Sequence, residues 1–360
     1  MRANWPRACS PLVLPSRSRS ATRSGSRRVS DAGFARDEAC RSIVKVEVRM
    51  PAYRRPAMLR RALESLQAQT HTDWRAIVLD DSPDGEAAGV VAGLAEPRVQ
   101  YQRHACNLGA AQNLDLCFRR EPFFPGSTHA CILEDDNYFD PGFVAENLGL
   151  LDRHGVRLVL RNQWIFFDHG DGVRPRGDTC RSGFLEEGLV QPQDFLPHLP
   201  FHCGVSNGGL LWRLDCRSEL VVGPRVENAS HQEILRTFQL AEPLWYADTP
   251  LAHFRAEDKG WQPGRWRNAT ALRASQSIAL RAVKLGPTDF WERAQTLADR
   301  HTPAHQAALD AFAIMALHRR RVWRTLSRRT AGGKLLKCAL VRCLVPDPLR
   351  AYWRGFRAAG

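Results

Sequence analysis

The stretch "CILEDDNYFDP", residues 131–141, joins an apolar run to three consecutive acids, Glu134, Asp135 and Asp136. Like charges this close repel one another, and an apolar neighbourhood disfavours their ionised forms. A bound cation at the rim of a sheet would relieve that repulsion. Mg²⁺ and Mn²⁺ take oxygen ligands, usually one or two protein carboxylates completed by substrate phosphates. The stretch therefore predicts a strand that ends at a site for a divalent metal and phosphates.

Predicted strands and helices alternate along the chain on both sides of this stretch. The strands cover residues 43–49, 74–80, 99–101 and 129–133, and helices cover 56–66, 86–94, 110–118 and 141–151. Alternation at this pace is typical of βαβ units. We therefore predict an α/β fold with a mostly parallel sheet flanked by helices. Such sheets bind ligands at the carboxyl ends of their strands.

Polar residues follow each of the four predicted strands. They are the turn at residues 51–56, the pair Asp80 and Asp81, the loop with Asn107 and Gly109, and the acidic triplet. Clusters at four successive strand ends predict one ligand cleft. Carboxylates outside the metal site can accept hydrogen bonds from ribose hydroxyls or a base N–H. Gly109 would let the backbone approach a diphosphate closely.

The order and spacing of these segments resemble glycosyltransferase family 2, whose members have the GT-A fold. The resemblance rests on "MPAYRRP", "LDDSPDG", "NLGAAQN" and "ILEDDNYFDPGF", and it is strong over residues 43–150 and weaker over 151–266. It implies a metal-dependent, inverting enzyme that moves a sugar from a UDP- or dTDP-linked donor to a hydroxyl acceptor. Cell-surface glycan or glycolipid synthesis would be its setting. The alternative is a non-catalytic relative that binds nucleotide or glycan.

The resemblance also implies a role for each matching residue. The positions that correspond to nucleotide contacts are Pro51, Tyr53, Arg54, Asp80, Asp81, Asn107, Gly109 and Asp135. Either Asp81 or its neighbour Asp80 would recognise the base. Asp136 would ligate the divalent metal, Mn²⁺ or Mg²⁺, and Asp135 would hold ribose or share that metal. Glu134 fills the first position of the triplet, where the family commonly has Asp, and its role stays open.

The catalytic base is the least defined residue. In the family it is an acid on a short Glu-Asp segment that begins a helix, beyond a Gly-Gly-apolar-Arg stretch that matches residues 208–213. In this chain Ser230 or His231 stands where the Asp is usual. Glu233 is the nearest carboxylate, and His231 is the second candidate because imidazole is a competent base near neutral pH. Glu227, or no base at all, remains open.

The ends of the chain differ from its centre. Residues 1–42 contain nine Arg and only three acids, as in an organellar transit peptide or a disordered tail. We place the glycosyltransferase domain at residues 43–266. Its nucleotide-sugar half is 43–150, its acceptor half is 151–266, and a helical basic region follows at 267–360.

The positive charge of the chain favours anionic partners. The net charge is +13, and residues 318–360 hold twelve Lys or Arg against one acid, Asp347. This region could lie on an anionic membrane with Trp323, Trp353 and Phe356 at the interface, which a lipid-linked acceptor would explain. The other interpretations are a solvated helical face and nucleic-acid binding. The acid-lined cleft argues against nucleic acid, so none is expected as a partner.

Cysteine usage and hydropathy bear on location. The ten cysteines form no CxxC pair, which argues against a disulfide framework or a zinc site and favours a reducing compartment. No run of about 18 apolar residues exists, so no transmembrane helix is expected. We predict a cytoplasmic protein that is peripheral on the inner face of the plasma membrane.

Overall fold

The structure is a computed structural model that describes residues 45–170, 172–181, 183–256, 268–300, 303–317 and 331–356. The predicted tail at 1–42 and Trp323 lie outside these ranges. The strands are β1 Val46–Ala52, β2 Trp74–Asp80, β3 Val99–Arg103, β4 His129–Ile132, β5 Tyr138–Phe139, β6 Leu158–Asp168, β7 Val173–Thr179, β8 Gly188–Val190, β9 Leu210–Arg213 and β10 Leu244–Arg255.

The helices flank these strands and fill the C-terminal region. They are α1 Pro56–Gln67, α2 Ala87–Leu94, α3 Ala110–Leu116, α4 Phe143–His154, α5 Ala229–Phe238, α6 Ala269–Leu285, α7 Phe290–Asp299, α8 Pro303–Met315, α9 Ala331–Leu344 and α10 Arg350–Gly355. A 3₁₀ helix spans Pro192–Phe201. The four strands and four helices predicted for residues 43–151 are all present, with ends that differ by a few residues.

The strands form one mixed sheet in the order β3-β2-β1-β4-β9-β6-β10-β5, with β7 beside β6 and β8 beside β10. The predicted α/β class is confirmed. Parallel pairing covers β3-β2-β1-β4 and the β6-β10 pair, whereas β9 runs antiparallel to both β4 and β6. A parallel pair needs a long crossover, usually a helix, and such helices alternate with strands mainly in the first half of the chain.

Helix α1 shows how the local sequence sets the packing. Pro56 occupies the first turn, where a missing N–H costs nothing, and Leu59, Leu63 and Leu66 are buried. They join the same apolar core as Val48 of β1. Burying each such leucine contributes roughly 1.5–3 kcal/mol. This packing fixes the turn between β1 and α1, which carries part of the candidate site.

The register of the sheet brings several strand ends to one edge. Ala52 of β1 pairs with Asp80 of β2, and Arg49 of β1 pairs with Ile132 of β4. The polar segments after β1, β2 and β4 therefore lie side by side, as the sequence predicts.

The C-terminal helices share a core with the second half of the sheet domain. Helices α6, α7, α8 and α10 pack with α5 and the 3₁₀ helix around residues such as Phe290 and Phe312. Trp353 is 7% exposed, its Nε1 donates to Ser277 Oγ at 2.8 Å, and its ring meets Phe238 edge-on. The predicted position of Trp353 at a membrane interface is therefore wrong, because this side chain is part of the core.

Two further sequence expectations concern cysteines and membrane spans. Seven cysteines of the described ranges carry free thiols, and Cys106 is in a disulfide bond. No helix in the described part of the chain is both long and apolar enough to cross a membrane.

Candidate active site

Asp135 joins the end of β4 to the turn after β1. Its Oδ2 accepts a hydrogen bond from the Tyr53 backbone N–H at 2.8 Å, and its Oδ1 accepts one from Arg55 Nη1 at 2.9 Å. Burial raises the pKa of Asp135 to about 6, and the bonds from Tyr53 and Arg55 act in the opposite direction. The middle acid of the triplet therefore fixes the geometry of the nucleotide-contacting turn predicted at residues 51–54.

Asp136 lies beside Asp135 and is held by two guanidinium groups. Its Oδ2 is 3.0 Å from Arg55 Nη1 and 3.7 Å from Arg255 Nη1. The Asp136 side chain is 17% exposed and that of Arg55 is 43% exposed. The Arg55 guanidinium thus bridges Asp135 and Asp136, the last two acids of the triplet.

Glu134 faces a different environment from its two neighbours. It accepts hydrogen bonds from the amide groups of Asn137 at 2.8 Å and Asn207 at 3.5 Å. Burial raises the pKa of Glu134 to about 8, and the charges of Asp136 and Glu233 add to this effect. A Cβ placed on Gly208 would lie 3.8 Å from Glu134 Oε2. The first acid of the triplet therefore contacts the segment before β9, in the predicted acceptor half.

These residues fit a divalent metal that is shared with a substrate. Within the described ranges, no group of three or more His, Cys, Asp or Glu side chains is arranged to hold a metal ion. Mg²⁺ and Mn²⁺ sites often need only one or two carboxylates when phosphates complete the shell. Asp136 offers an accessible carboxylate, and the Arg55 guanidinium already places a cation against it. The assignment of the metal to Asp136 stays a prediction.

Asp81 ties the loop before α3 to the end of β2. Its Oδ1 accepts from the backbone N–H of Leu108 at 2.6 Å, and its Oδ2 accepts from that of Gly109 at 2.8 Å. Asn107 Nδ2 donates to the Asp81 carbonyl at 2.9 Å. Gly109 has a φ of 80°, which a residue with a side chain rarely adopts. The end of β2 and the loop before α3, both predicted to contact the nucleotide, are therefore joined by hydrogen bonds.

Asp80 and the residues of the β1–α1 turn complete this edge. Asp80 is buried, with Oδ1 accepting from the Ser82 N–H at 2.9 Å and Oδ2 accepting from the Tyr101 hydroxyl at 3.0 Å. The Arg54 N–H donates to Ser82 Oγ at 2.9 Å, and the Arg54 guanidinium lies 5.5 Å from the Tyr53 ring centroid. Tyr53 is exposed at the opening. An aromatic face next to an arginine can receive a nucleoside base by stacking.

The three candidates for the base occupy different surroundings. Glu233 on α5 is half-buried, and burial raises its pKa while the charges of Arg181 and Arg236 lower it. His231 lies against α6, with Nε2 at 3.5 Å from Ser275 Oγ. Burial, helped by His202, lowers the pKa of His231 to about 4.

Among these candidates, Glu233 is the one that shifts the pKa of a residue in the acidic triplet. The charge of Glu233 contributes to the raised pKa of Glu134, whereas the pKa of His231 is lowered by burial and by His202. Glu227 is exposed, just before α5 begins. Of the three candidates, Glu233 is therefore the one whose charge reaches Glu134 in the acidic triplet.

A buried arginine that the sequence analysis did not identify connects α5 to the triplet. Arg236 is fully buried, its Nη1 donates to Asn207 Oδ1 at 2.9 Å, and its guanidinium lies 3.4 Å from the Phe118 ring centroid. Asn207 in turn donates to Glu134. The signal available in the sequence was an arginine one position after Leu235, on the helix face that includes buried Gln232.

Comparison with protein families gives an independent result for this region. The model of the family described as Glycosyl transferase family 2 matches residues 47–205. Protein CgeD of Bacillus subtilis (strain 168) is 30% identical over 102 residues, which is 27% of this chain and 24% of that protein. The match thus spans about a quarter of the length of this curated relative.

Solved structures extend the similarity to most of the chain. The crystal structure of S. aureus TarS 1–349 in complex with UDP has a TM-score of 0.53 and 14% identity, covering 87% of this chain and 92% of that chain. The complex of the same protein with UDP-GlcNAc has a TM-score of 0.52 and 15% identity, covering 83% and 90%. At these identities the likeness shows a shared fold.

Proposed function

Because the chain belongs to glycosyltransferase family 2 and has the GT-A fold, we propose that it transfers a sugar from a nucleotide diphosphate donor to a hydroxyl acceptor. The main support for this proposal is that hydrogen bonds directly join the segments at the strand ends. Asp135 holds the Tyr53 turn, and Asp81 holds the loop of Gly109. The TarS structures bind UDP and UDP-GlcNAc, which supports a uridine nucleotide donor as the first to test, with dTDP-sugars second.

Each part of the cleft has a role in this reaction. Tyr53 and Arg54 stack on the nucleoside. Asp81 holds the loop before α3 by its hydrogen bonds, so that the backbone of Gly109 faces the diphosphate. Asp136 would hold the divalent cation, with Asp135 beside it, and a bound cation neutralises charge on the leaving diphosphate. Arg55 and Arg255 keep positive charge at Asp136 when no donor is present.

We propose Glu233 as the base for the acceptor. The acceptor oxygen bonds to the anomeric carbon while the bond from that carbon to the diphosphate oxygen breaks, so the configuration inverts. The proton of the acceptor hydroxyl passes to the Glu233 carboxylate. Arg181 and Arg236 favour the ionised carboxylate that this step requires, against the effect of burial.

A non-catalytic relative that binds nucleotide or glycan is the second candidate. It is favoured by the absence of a carboxylate at Ser230 and His231, the positions that match the family's usual base. The two functions differ in one measurement. A protein that binds UDP in calorimetry but turns over no donor across an acceptor panel, with Mn²⁺ or Mg²⁺ present, is the non-catalytic relative.

Replacing Asp81 with Asn should weaken UDP binding by about tenfold or more, because an amide cannot accept from both loop N–H groups. In the variant, the side-chain NH₂ group would face one of the two backbone N–H donors, so one hydrogen bond would be lost. The loop that contains Gly109 would then lose its position. The measurement is isothermal titration calorimetry of UDP with and without Mn²⁺. Asp84→Asn is the matched control, since Asp84 is exposed in the same loop. Equal affinities for both variants would contradict the nucleotide site.

We also propose that the C-terminal region binds the anionic lipid surface of the inner face of the plasma membrane. Leu336, Leu340 and Leu344 are 62%, 49% and 75% exposed at successive turns of α9. Lys337 and Arg342 are on the same helix. Exposed leucines beside basic residues suit the boundary between headgroups and acyl chains.

The double variant Leu340→Ser and Leu344→Ser should reduce binding to phosphatidylglycerol vesicles by about tenfold or more, because it removes two exposed apolar side chains that membrane binding would bury. Flotation of protein with vesicles measures this, and phosphatidylcholine vesicles should bind less of the wild-type protein. Leu189→Ser is the control, since Leu189 is 54% exposed on β8. Flotation that depends on neither the leucines nor the lipid charge excludes this surface.

A further inference from the structure

A second cavity lies among the C-terminal helices, and none of its lining residues belongs to the candidate active site. It has a volume of about 290 Å³ and lies between α6 and α10. Its polar lining consists mainly of the arginines Arg273, Arg281, Arg350 and Arg354, with Asp347 as the one acid. None of these residues takes part in the proposed transfer reaction.

The spacing of the arginines explains why they converge. Arg273 and Arg281 are eight residues apart on α6, which places them about two turns apart on one face. Arg350 and Arg354 are four residues apart on α10, again on one face. Trp353 fixes the two helices together, because its indole N–H donates to Ser277 Oγ on α6. The two basic faces are therefore held against one cavity.

Asp347, the only carboxylate among the described lining residues, is already engaged. Asp347 Oδ2 accepts from Ser277 Oγ at 2.7 Å and lies 3.9 Å from Arg273 Nη2, while its Oδ1 accepts from the Leu349 N–H at 3.0 Å. One acid beside four arginines leaves a local excess of three positive charges. Among the described residues, no ion pair joins Arg281, Arg350 or Arg354 to a carboxylate.

Arg273 adds a more specific observation. Its Nε and Nη1 are buried, and neither has a hydrogen-bond partner within the described part of the chain. Buried donors are normally satisfied, by protein or by another group. The Arg281 guanidinium lies 5.2 Å from the Trp353 ring centroid, so the tryptophan orients a second arginine at the cavity. The cavity thus has oriented donors and excess positive charge, and Asp347 is the one acid among the described residues that line it.

We propose that this cavity binds a phosphate group. Guanidinium groups pair with phosphate through two parallel hydrogen bonds, and several of them favour a doubly charged oxyanion over a single carboxylate. A volume of about 290 Å³ suits a phosphate with a small substituent. A soluble phosphate ester and the headgroup of an anionic phospholipid carry this same chemistry.

The test uses the double variant Arg350→Gln and Arg354→Gln, because both side chains are exposed and their loss leaves the core intact. Calorimetry with inorganic phosphate should show affinity at least about tenfold weaker than in the wild-type protein. Arg217→Gln, at an exposed arginine outside the cavity, should leave the affinity unchanged within about twofold. No binding by the wild-type protein, or equal binding by the double variant, overturns the proposal.

A second arm identifies the source of the phosphate. In flotation with phosphatidylglycerol vesicles, a lipid headgroup in the cavity predicts that the double variant loses vesicle binding together with phosphate binding. A soluble ligand predicts that phosphate binding is lost while vesicle binding stays as in the wild-type protein. Both outcomes support a phosphate site, and neither depends on donor turnover in the active site.

Discussion

The Asp136→Asn variant is expected to lose about 100- to 1000-fold in the rate of sugar transfer. An amide has the same size as the carboxylate but lacks the charge that would hold a divalent cation at the leaving diphosphate. Electrostatic stabilisation of a developing charge is commonly worth about 3–4 kcal/mol, which corresponds to that range of rates. The variant should stay folded, because Asp136 is at the rim and the side chain of its partner Arg55 is 43% exposed.

The measurement is release of the nucleotide diphosphate from the donor, followed as a function of Mn²⁺ or Mg²⁺ concentration. Asp140→Asn is the matched control, because Asp140 lies four residues along the same segment and pairs with His253 instead. Wild-type protein in excess EDTA should be as slow as the Asp136 variant. Full activity in EDTA, or full activity of the variant, would exclude a metal at Asp136.

The first half of the fold could be predicted because its signals are local. The apolar spacing that defines α1 occurs within twelve residues, and Pro56 marks its first turn. The parallel register of β1, β2 and β4 then follows from the alternation of strands and helices. Since parallel strands end at one edge, the contact of Asp135 with the Tyr53 turn also follows in outline.

Contacts that depend on distant pairing could not be predicted in the same way. The Arg236–Asn207–Glu134 connection requires β9 to lie antiparallel to β4, which no local pattern specifies. Buried charged residues are equally hard to predict from the sequence. Glu47 and Arg49 look like the solvent face of an alternating strand, yet they form a fully buried ion pair. Arg49 also donates to the Cys117 carbonyl, so β1 is buried on both faces.

The Glu233→Gln variant is expected to lower kcat by about 100- to 10,000-fold while donor affinity stays unchanged. Glutamine keeps the shape of the side chain but cannot take the acceptor proton. Burial raises the pKa of Glu233 above that of an ordinary glutamate. The active carboxylate therefore forms only as the pH rises through that higher pKa, and activity should fall on the acid side at a pH above the usual glutamate range. This acid limb of the pH–rate profile should be absent from the residual activity of the variant.

The two other candidates supply the controls for this assignment. His231→Gln should retain most of the activity, because His231 contacts α6 and its lowered pKa makes it a weak base. Glu227→Gln should also be active, since Glu227 is exposed before α5 begins. If His231→Gln abolishes transfer and Glu233→Gln does not, the base is the imidazole. If all three variants bind donor but neither they nor the wild-type protein turn it over, the cleft binds nucleotide without catalysis. Calorimetry with UDP separates these outcomes from simple unfolding, because a folded cleft keeps its affinity whether or not a base is present.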